Sequence, residues 1–159
     1  MTTEKPVIVL GNDGSKAGEP ALRWALDYAR VVGGQLQIVR GWSIFTAPRP
    51  ETQTIGHIPP LEDFEAAVIK DLKSDCAAAV ADFPEVEVEY VAERGPAVNA
   101  LLDCAANADL VVVGARGLGG FRGLALGSVS DQVTRHAACP VVVVRHDASA
   151  LTERSIPRE

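Results

Sequence analysis

The chain has 159 residues, 47% hydrophobic and 23% charged, with a formal net charge of −6, which is the composition of a soluble globular protein with one domain and its own core. Its acidic balance argues against nonspecific binding to nucleic acid or to an anionic membrane, because clustered Lys and Arg drive both. No apolar run approaches the roughly 20 residues of a membrane span.

The opening MTTEKPVIVLGNDGS carries Glu4 and enters a strand-like run without the basic and apolar stretches of a signal peptide, so a cytoplasmic protein is expected. Pro6 to Leu10 is a continuous aliphatic run, the pattern of a parallel strand covered on both faces. From Pro20 onward Ala21, Ala25, Tyr28, Ala29 and Val32 recur at helical spacing, and Gly33-Gly34 closes the segment. A second strand is predicted at Leu36 to Trp42. Residues 43–60, with four prolines, are read as an irregular connection and, given its length, as a mobile flap near a site. Leu61, Phe64, Val68, Leu72, Cys76, Ala79 and Phe83 form one stripe of a long helix stopped by Pro84.

EVEVEY, residues 85–90, alternates Glu outward with Val86, Val88 and Tyr90 inward, which predicts a strand near a sheet edge. Gly95-Pro96 is read as opening a helix through Asn107, with Pro96 at its first position. A fourth strand is predicted at Leu110 to Val113, a last helix around Val129, Val133 and Ala137, and a fifth strand at Val141 to Val144. Five strands alternating with helices give an α/β fold with a parallel sheet and right-handed crossovers. Cys76, Cys104 and Cys139 lack CxxC spacing and are expected as small buried apolar side chains. His57, His136 and His146 form no HxxxH or HExxH pair, so a zinc held by the protein is not expected.

The stretch GARGLGGFRGLALGS, residues 114–128, holds six of the fourteen glycines and lies between the fourth strand and the last helix. Open α/β sheets bind ligands at the carboxyl ends of their strands. Gly114 and Gly117 permit close backbone approach, while Gly127-Ser128 leads into a helix whose first N–H groups and dipole attract an anion. Ser128 and Ser130 add hydroxyls, and Arg116 and Arg122 are the only charges between residues 110 and 130. Read this way the stretch cradles phosphate; otherwise it is a flexible loop with Ser128 as an ordinary N-cap. There is no GxxxxGK[ST], and GxGxxG is broken.

The spacing does fit GxxGx9G[ST], with Gly114, Gly117, nine residues, then Gly127-Ser128. This resembles the nucleotide-binding motif of the universal stress protein family. VIVLGNDGS is similar to that family's first strand and turn, ADLVVVGARGLGGFRGLALGSVS to its fourth strand and loop, and HAACPVVVVR to its closing strand. The likeness spans about residues 5–146. It implies a single-domain, Rossmann-like open sheet of five parallel strands in the order 3-2-1-4-5, over residues 1–147, followed by a flexible tail at 148–159.

The resemblance further implies ATP, with Mg²⁺ as an optional companion, its phosphates against Gly117, Gly120, Gly127, Ser128 and Ser130. The same loop and helix start bring Gly114, Ala115, Arg116, Leu118, Gly119 and Val129 into the implied site. Asp13 near Gly11 would meet the ribose side, and the backbone around Gly41 the adenine. Asp13 keeps a second reading as a turn residue with an Asx hydrogen bond, and Trp42, next to Gly41, is read either as a stacking surface for the base or as core. Positions 40 and 41 are Arg-Gly, where the family often has His and an aliphatic residue.

The function implied is a nucleotide-dependent stress regulator or sensor, with at most slow ATP hydrolysis, working as a homodimer through Val141 to Val144. The alternatives are an interaction dimer of the same family without nucleotide, and an enzyme of the adenine-nucleotide α-hydrolase type.

Overall fold

The computed structural model describes residues 4–116 and 126–145. Strands and helices alternate along them: β1 (Val7–Gly11), a 3₁₀ turn (Lys16–Gly18), α1 (Glu19–Val32), β2 (Gln35–Trp42), α2 (Leu61–Ala81), β3 (Glu87–Arg94), α3 (Ala97–Ala105), β4 (Leu110–Gly114), α4 (Ser128–His136) and β5 (Val141–Val144). Every strand pairing among them is parallel, and the order is β3-β2-β1-β4-β5. The open five-stranded sheet expected from the sequence is the fold of this chain.

Strand parity divides the core in two, because successive side chains point to opposite faces. Ile8, Leu10, Leu36, Ile38 and Val112 pack with Leu22, Ala25, Leu26 and Ala29 of α1 and with Leu72, Cys76 and Ala79 of α2. Val9, Val39, Val111 and Val113 pack on the other side with Ala100 and Leu101 of α3 and Val133 of α4. Burial on both faces explains why β1 and β4 read as unbroken apolar runs and not as alternating ones. A third cluster joins Trp42, Phe64, Val68 and Ala92, with the Trp42 and Phe64 rings stacked at 6.4 Å. Trp42 is 4% exposed and belongs to this core cluster, while one side of it also lines the crevice described below.

Several boundaries move, each for a local reason. β3 starts at Glu87, after a turn in which the Val86 N–H reaches Phe83 O. It then runs on to Arg94, because all eight of its residues pair with Gln35 to Trp42 of β2. α2 ends at Ala81, and the N–H groups of Asp82 and Phe83 bond three residues back, the tightened last turn common at helix ends. Pro96 is the extended N-cap of α3, not its first helical residue, and its carbonyl accepts the opening bond from Ala100. α3 stops at Ala105 instead of Asn107, again in three-residue turns. Cys76 is fully buried, but Cys104 and Cys139 are only half-buried.

The 43–60 connection contains no helix or strand, only turns and one isolated bridge between Thr54 and His57. The predicted glycine positions 117–120 and the tail 148–159 lie outside the described residues.

Candidate functional site

β1 and β4 are neighbours in the sheet, yet the chain leaves β1 toward β2 on one side and β4 toward β5 on the other. Loops that diverge in this way leave a crevice at the carboxyl ends of the strands. Here the crevice measures about 1110 Å³, just above the usual ligand-site range. Of the residues singled out from the sequence, Gly11, Asp13, Gly41, Gly114, Arg116, Gly127, Ser128, Val129 and Ser130 all line it. Ala115 does not: it is buried, and its N–H is bonded to Val144 O at 2.8 Å. Gly117, Leu118, Gly119 and Gly120 fall outside the described residues.

The wall built by β4 and α4 is largely main chain. Gly127 N–H donates to Ala115 O at 2.6 Å, and Asp131 N–H donates to Gly127 O at 3.0 Å. Ser130 Oγ donates to Ala115 O at 3.1 Å and Gly127 O at 3.0 Å, sharing one proton between two carbonyls. At 2% exposure this hydroxyl holds the two ends of the glycine stretch together. Ser128 is not the N-cap of α4; Gly127 is, and it brings no side chain to the helix start. Ser128 Oγ instead accepts a bond from Gln132 Nε2 at 3.2 Å. The first-turn amides of α4 lack partners within the helix, as at any helix start, which leaves them to water or an anion. Arg116 lines the same crevice.

The opposite wall is built from side chains. After β1, Asn12 Oδ1 accepts the Gly14 N–H at 3.0 Å and Asp13 Oδ1 accepts the Ser15 N–H at 2.9 Å. Asp13 therefore does make the Asx bond, and it lines the crevice as well. Arg40, on β2, reaches this turn and α2 together, bonding to Asn12, Asp71 and Asp75. Gly41 faces α3, where a Cβ would lie 2.7 Å from both N and Cα of Ala97 and 2.8 Å from Gly95 O. No side chain fits there unless the backbone of α3 moves.

Asn12, Asp71, Asp75 and Leu101 also line the crevice, with no motif in the sequence to mark them, and Arg40 stands out in the sequence only as a departure from a pattern. A faint signal was present for the two aspartates. They precede Leu72 and Cys76 by one residue each, on the rim of the apolar stripe of α2. Burial pushes the Cys76 thiol up to about 11, outweighing the opposing pull of Arg40, and burial likewise pushes Cys104 up to about 11. Both thiols are poor nucleophiles near neutral pH. Among the described residues no group of three or more His, Cys, Asp or Glu is gathered to hold a metal, and no helix is long and apolar enough to cross a membrane.

The model of the Universal stress protein family matches residues 6–145. A universal stress protein of Mycolicibacterium smegmatis is 37% identical over 142 residues, covering 87% of this chain and 45% of that protein. The chain thus spans about half the length of the curated relatives it matches. Among solved structures, a universal stress protein in complex with cAMP is 26% identical, with a TM-score of 0.64 over 91% of this chain and 99% of the other. Universal stress protein UspA from Lactobacillus plantarum is 25% identical, with a TM-score of 0.68 over 91% of this chain and 100% of the other.

Proposed function

The chain belongs to the universal stress protein family, and from that footing we propose that it binds an adenine nucleotide in the crevice and acts as a nucleotide-dependent stress regulator or sensor. One observation carries the reading: the start of α4, capped by Gly127 without a side-chain bond, opens into a large crevice between the neighbouring strands β1 and β4. A helix N-terminus in that position suits an anionic group, and Arg116 adds a guanidinium, which pairs well with phosphate oxygens. The related protein solved with cAMP supports an adenine nucleotide as the ligand class.

In this reading ATP is the ligand, with its phosphates toward Gly114, Gly127, Ser128 and the stretch 117–120. Its adenosine lies toward Asp13, Gly11 and Gly41. Mg²⁺ would arrive with the triphosphate, held by phosphate oxygens and water. Hydrolysis is slow at most, since the sequence has no GxxxxGK[ST] lysine and the described crevice lining has neither lysine nor histidine. The protein works in the cytoplasm as a homodimer. Support for pairing comes from β5, an edge strand of four valines of which Val141, Val142 and Val143 are only half-buried. Such an edge invites another chain.

Thermal melting with and without Mg-ATP tests the binding. Ligand at 100 times its dissociation constant adds about 2.7 kcal/mol, roughly 5 to 11 °C for a domain of this size. AMP and cAMP in parallel rank the phosphate contribution. Absence of a shift with every adenine nucleotide would leave the interaction dimer as the better reading. Sedimentation at micromolar concentration tests pairing separately, and a monodisperse monomer overturns it.

A further inference from the structure

We propose that Arg40 is a positioning residue of the crevice: its guanidinium fixes the Asn12 to Ser15 turn, and with it Asp13, against α2. For its effect on ligand affinity this inference rests on the nucleotide reading above; for its effect on the turn it stands alone. Strand parity sends Val39 and Gly41 toward α3 and Arg40 toward α2, onto a face otherwise filled by Ile38, Leu72 and Cys76. A cation only 11% exposed there requires partners.

It has four contacts on two other elements. Nη1 donates to Asp71 Oδ2 at 3.0 Å and Nη2 to Asp75 Oδ2 at 2.8 Å. Nη2 also donates to Asn12 Oδ1 at 2.6 Å, and Nε to Asn12 O at 3.3 Å. Asp71 and Asp75, one helical turn apart, present both carboxylates on the same side of α2. The planar fork of arginine can serve these directions together, whereas an ammonium on a flexible stem is a single point charge.

The turn is shaped around this guanidinium. Asn12 Oδ1 accepts from Arg40 and from the Gly14 N–H, so one oxygen links the cation to the turn's internal bond. Gly14 has φ +80°, and a Cβ there would lie 3.3 Å from both Arg40 Nη2 and Asp75 Oδ2. The next bond along, Ser15 N–H to Asp13 Oδ1, orients the carboxyl assigned to the ribose side. Loss of the guanidinium takes away the donors that Arg40 offers to both Asn12 oxygens and, among the described residues, the cation paired with Asp71 and Asp75.

The experiment compares wild type, Arg40→Met, Arg40→Lys, Asp13→Asn and the Arg40→Met/Asp13→Asn pair. Without nucleotide, backbone ¹⁵N order parameters of Gly14 and Ser15 should fall from about 0.85 to below about 0.6 in Arg40→Met. Those of Ile38 and Val39 should stay at the wild-type level, and Arg40→Lys should fall between. Should Arg40→Met fail to fold, Arg40→Lys carries the same measurement. Titration with ATP should show about tenfold weaker binding in Arg40→Met, the cost of lost preorganisation, partly restored by Lys. In the Asp13→Asn background the Met change should add little, because it acts through Asp13. Rigid Gly14 and Ser15 amides in Arg40→Met, or additive losses in the double variant, would overturn the inference. If wild type binds no ATP the nucleotide reading falls, while the order parameters still decide the role of Arg40.

Discussion

The crevice has two walls made in different ways. On the β4–α4 side, Gly114, Gly127 and the first turn of α4 present main-chain groups, tied to the buried Ala115 carbonyl by the Gly127 N–H and the Ser130 hydroxyl. On the β2–α2 side, Arg40, Asn12, Asp71 and Asp75 form a network of side chains from three elements. A main-chain wall needs residues lacking bulk at fixed intervals in one stretch of sequence. A side-chain wall needs complementary charges that meet only once the sheet and helix are assembled.

Glycine substitutions break this contrast most directly, and Gly41 should give the largest effect. Its glycine character belongs to the fold, since the atoms in the way are the backbone of Gly95 and Ala97. Gly41→Ala is expected to cost about 2 kcal/mol through overpacking, lowering the melting midpoint by roughly 4 to 8 °C. An unchanged melt would mean that α3 shifts freely and does not hold β2 rigidly at Gly41. A smaller loss is expected at Ser130 on the other wall. Ser130→Ala removes one buried donor shared between Ala115 O and Gly127 O, a change worth about 1 kcal/mol. Ala115 O keeps its bond from Gly127 N–H, so the base of the glycine stretch should loosen without opening. Melting gives the energy, and amide exchange at Gly127 gives the location.

The same contrast explains what was legible in the sequence. Hydrophobic period placed β1, β2, β4, β5, α1 and α2 within a few residues, because each buries a face whose spacing is fixed by its own geometry. The glycine spacing pointed to Gly114, Gly127 and the start of α4, which do line the crevice. β3 was cut short because its second half, Val91 to Arg94, is drawn into the sheet by pairing with β2 and carries no alternation of its own. Pro96 looked like a first helical residue because a missing N–H is tolerated equally at the N-cap, and only its extended backbone distinguishes the two. Arg40, Asp71 and Asp75 lie 31 and 35 residues apart in sequence. Nothing local to any of them states that they meet.

Gly114 supplies the smallest expected change in stability and the sharpest test of what a crevice glycine is for. A Cβ there would find Arg116 O at 3.5 Å and Ala17 O at 4.0 Å, ordinary contact distances, without a positive φ to hinder a side chain. Gly114→Ala should therefore leave the melt within about 0.5 kcal/mol of wild type, or raise it slightly by restricting the unfolded chain. Fold requirements alone give no reason for glycine at this position, in contrast to Gly41. The methyl group would stand in the crevice, where Gly114 forms part of the wall. A variant that melts like wild type but binds ATP more weakly would assign this glycine to the ligand. Equal affinity in the two proteins would move the phosphates away from β4 and leave the start of α4 as the part of the wall to examine.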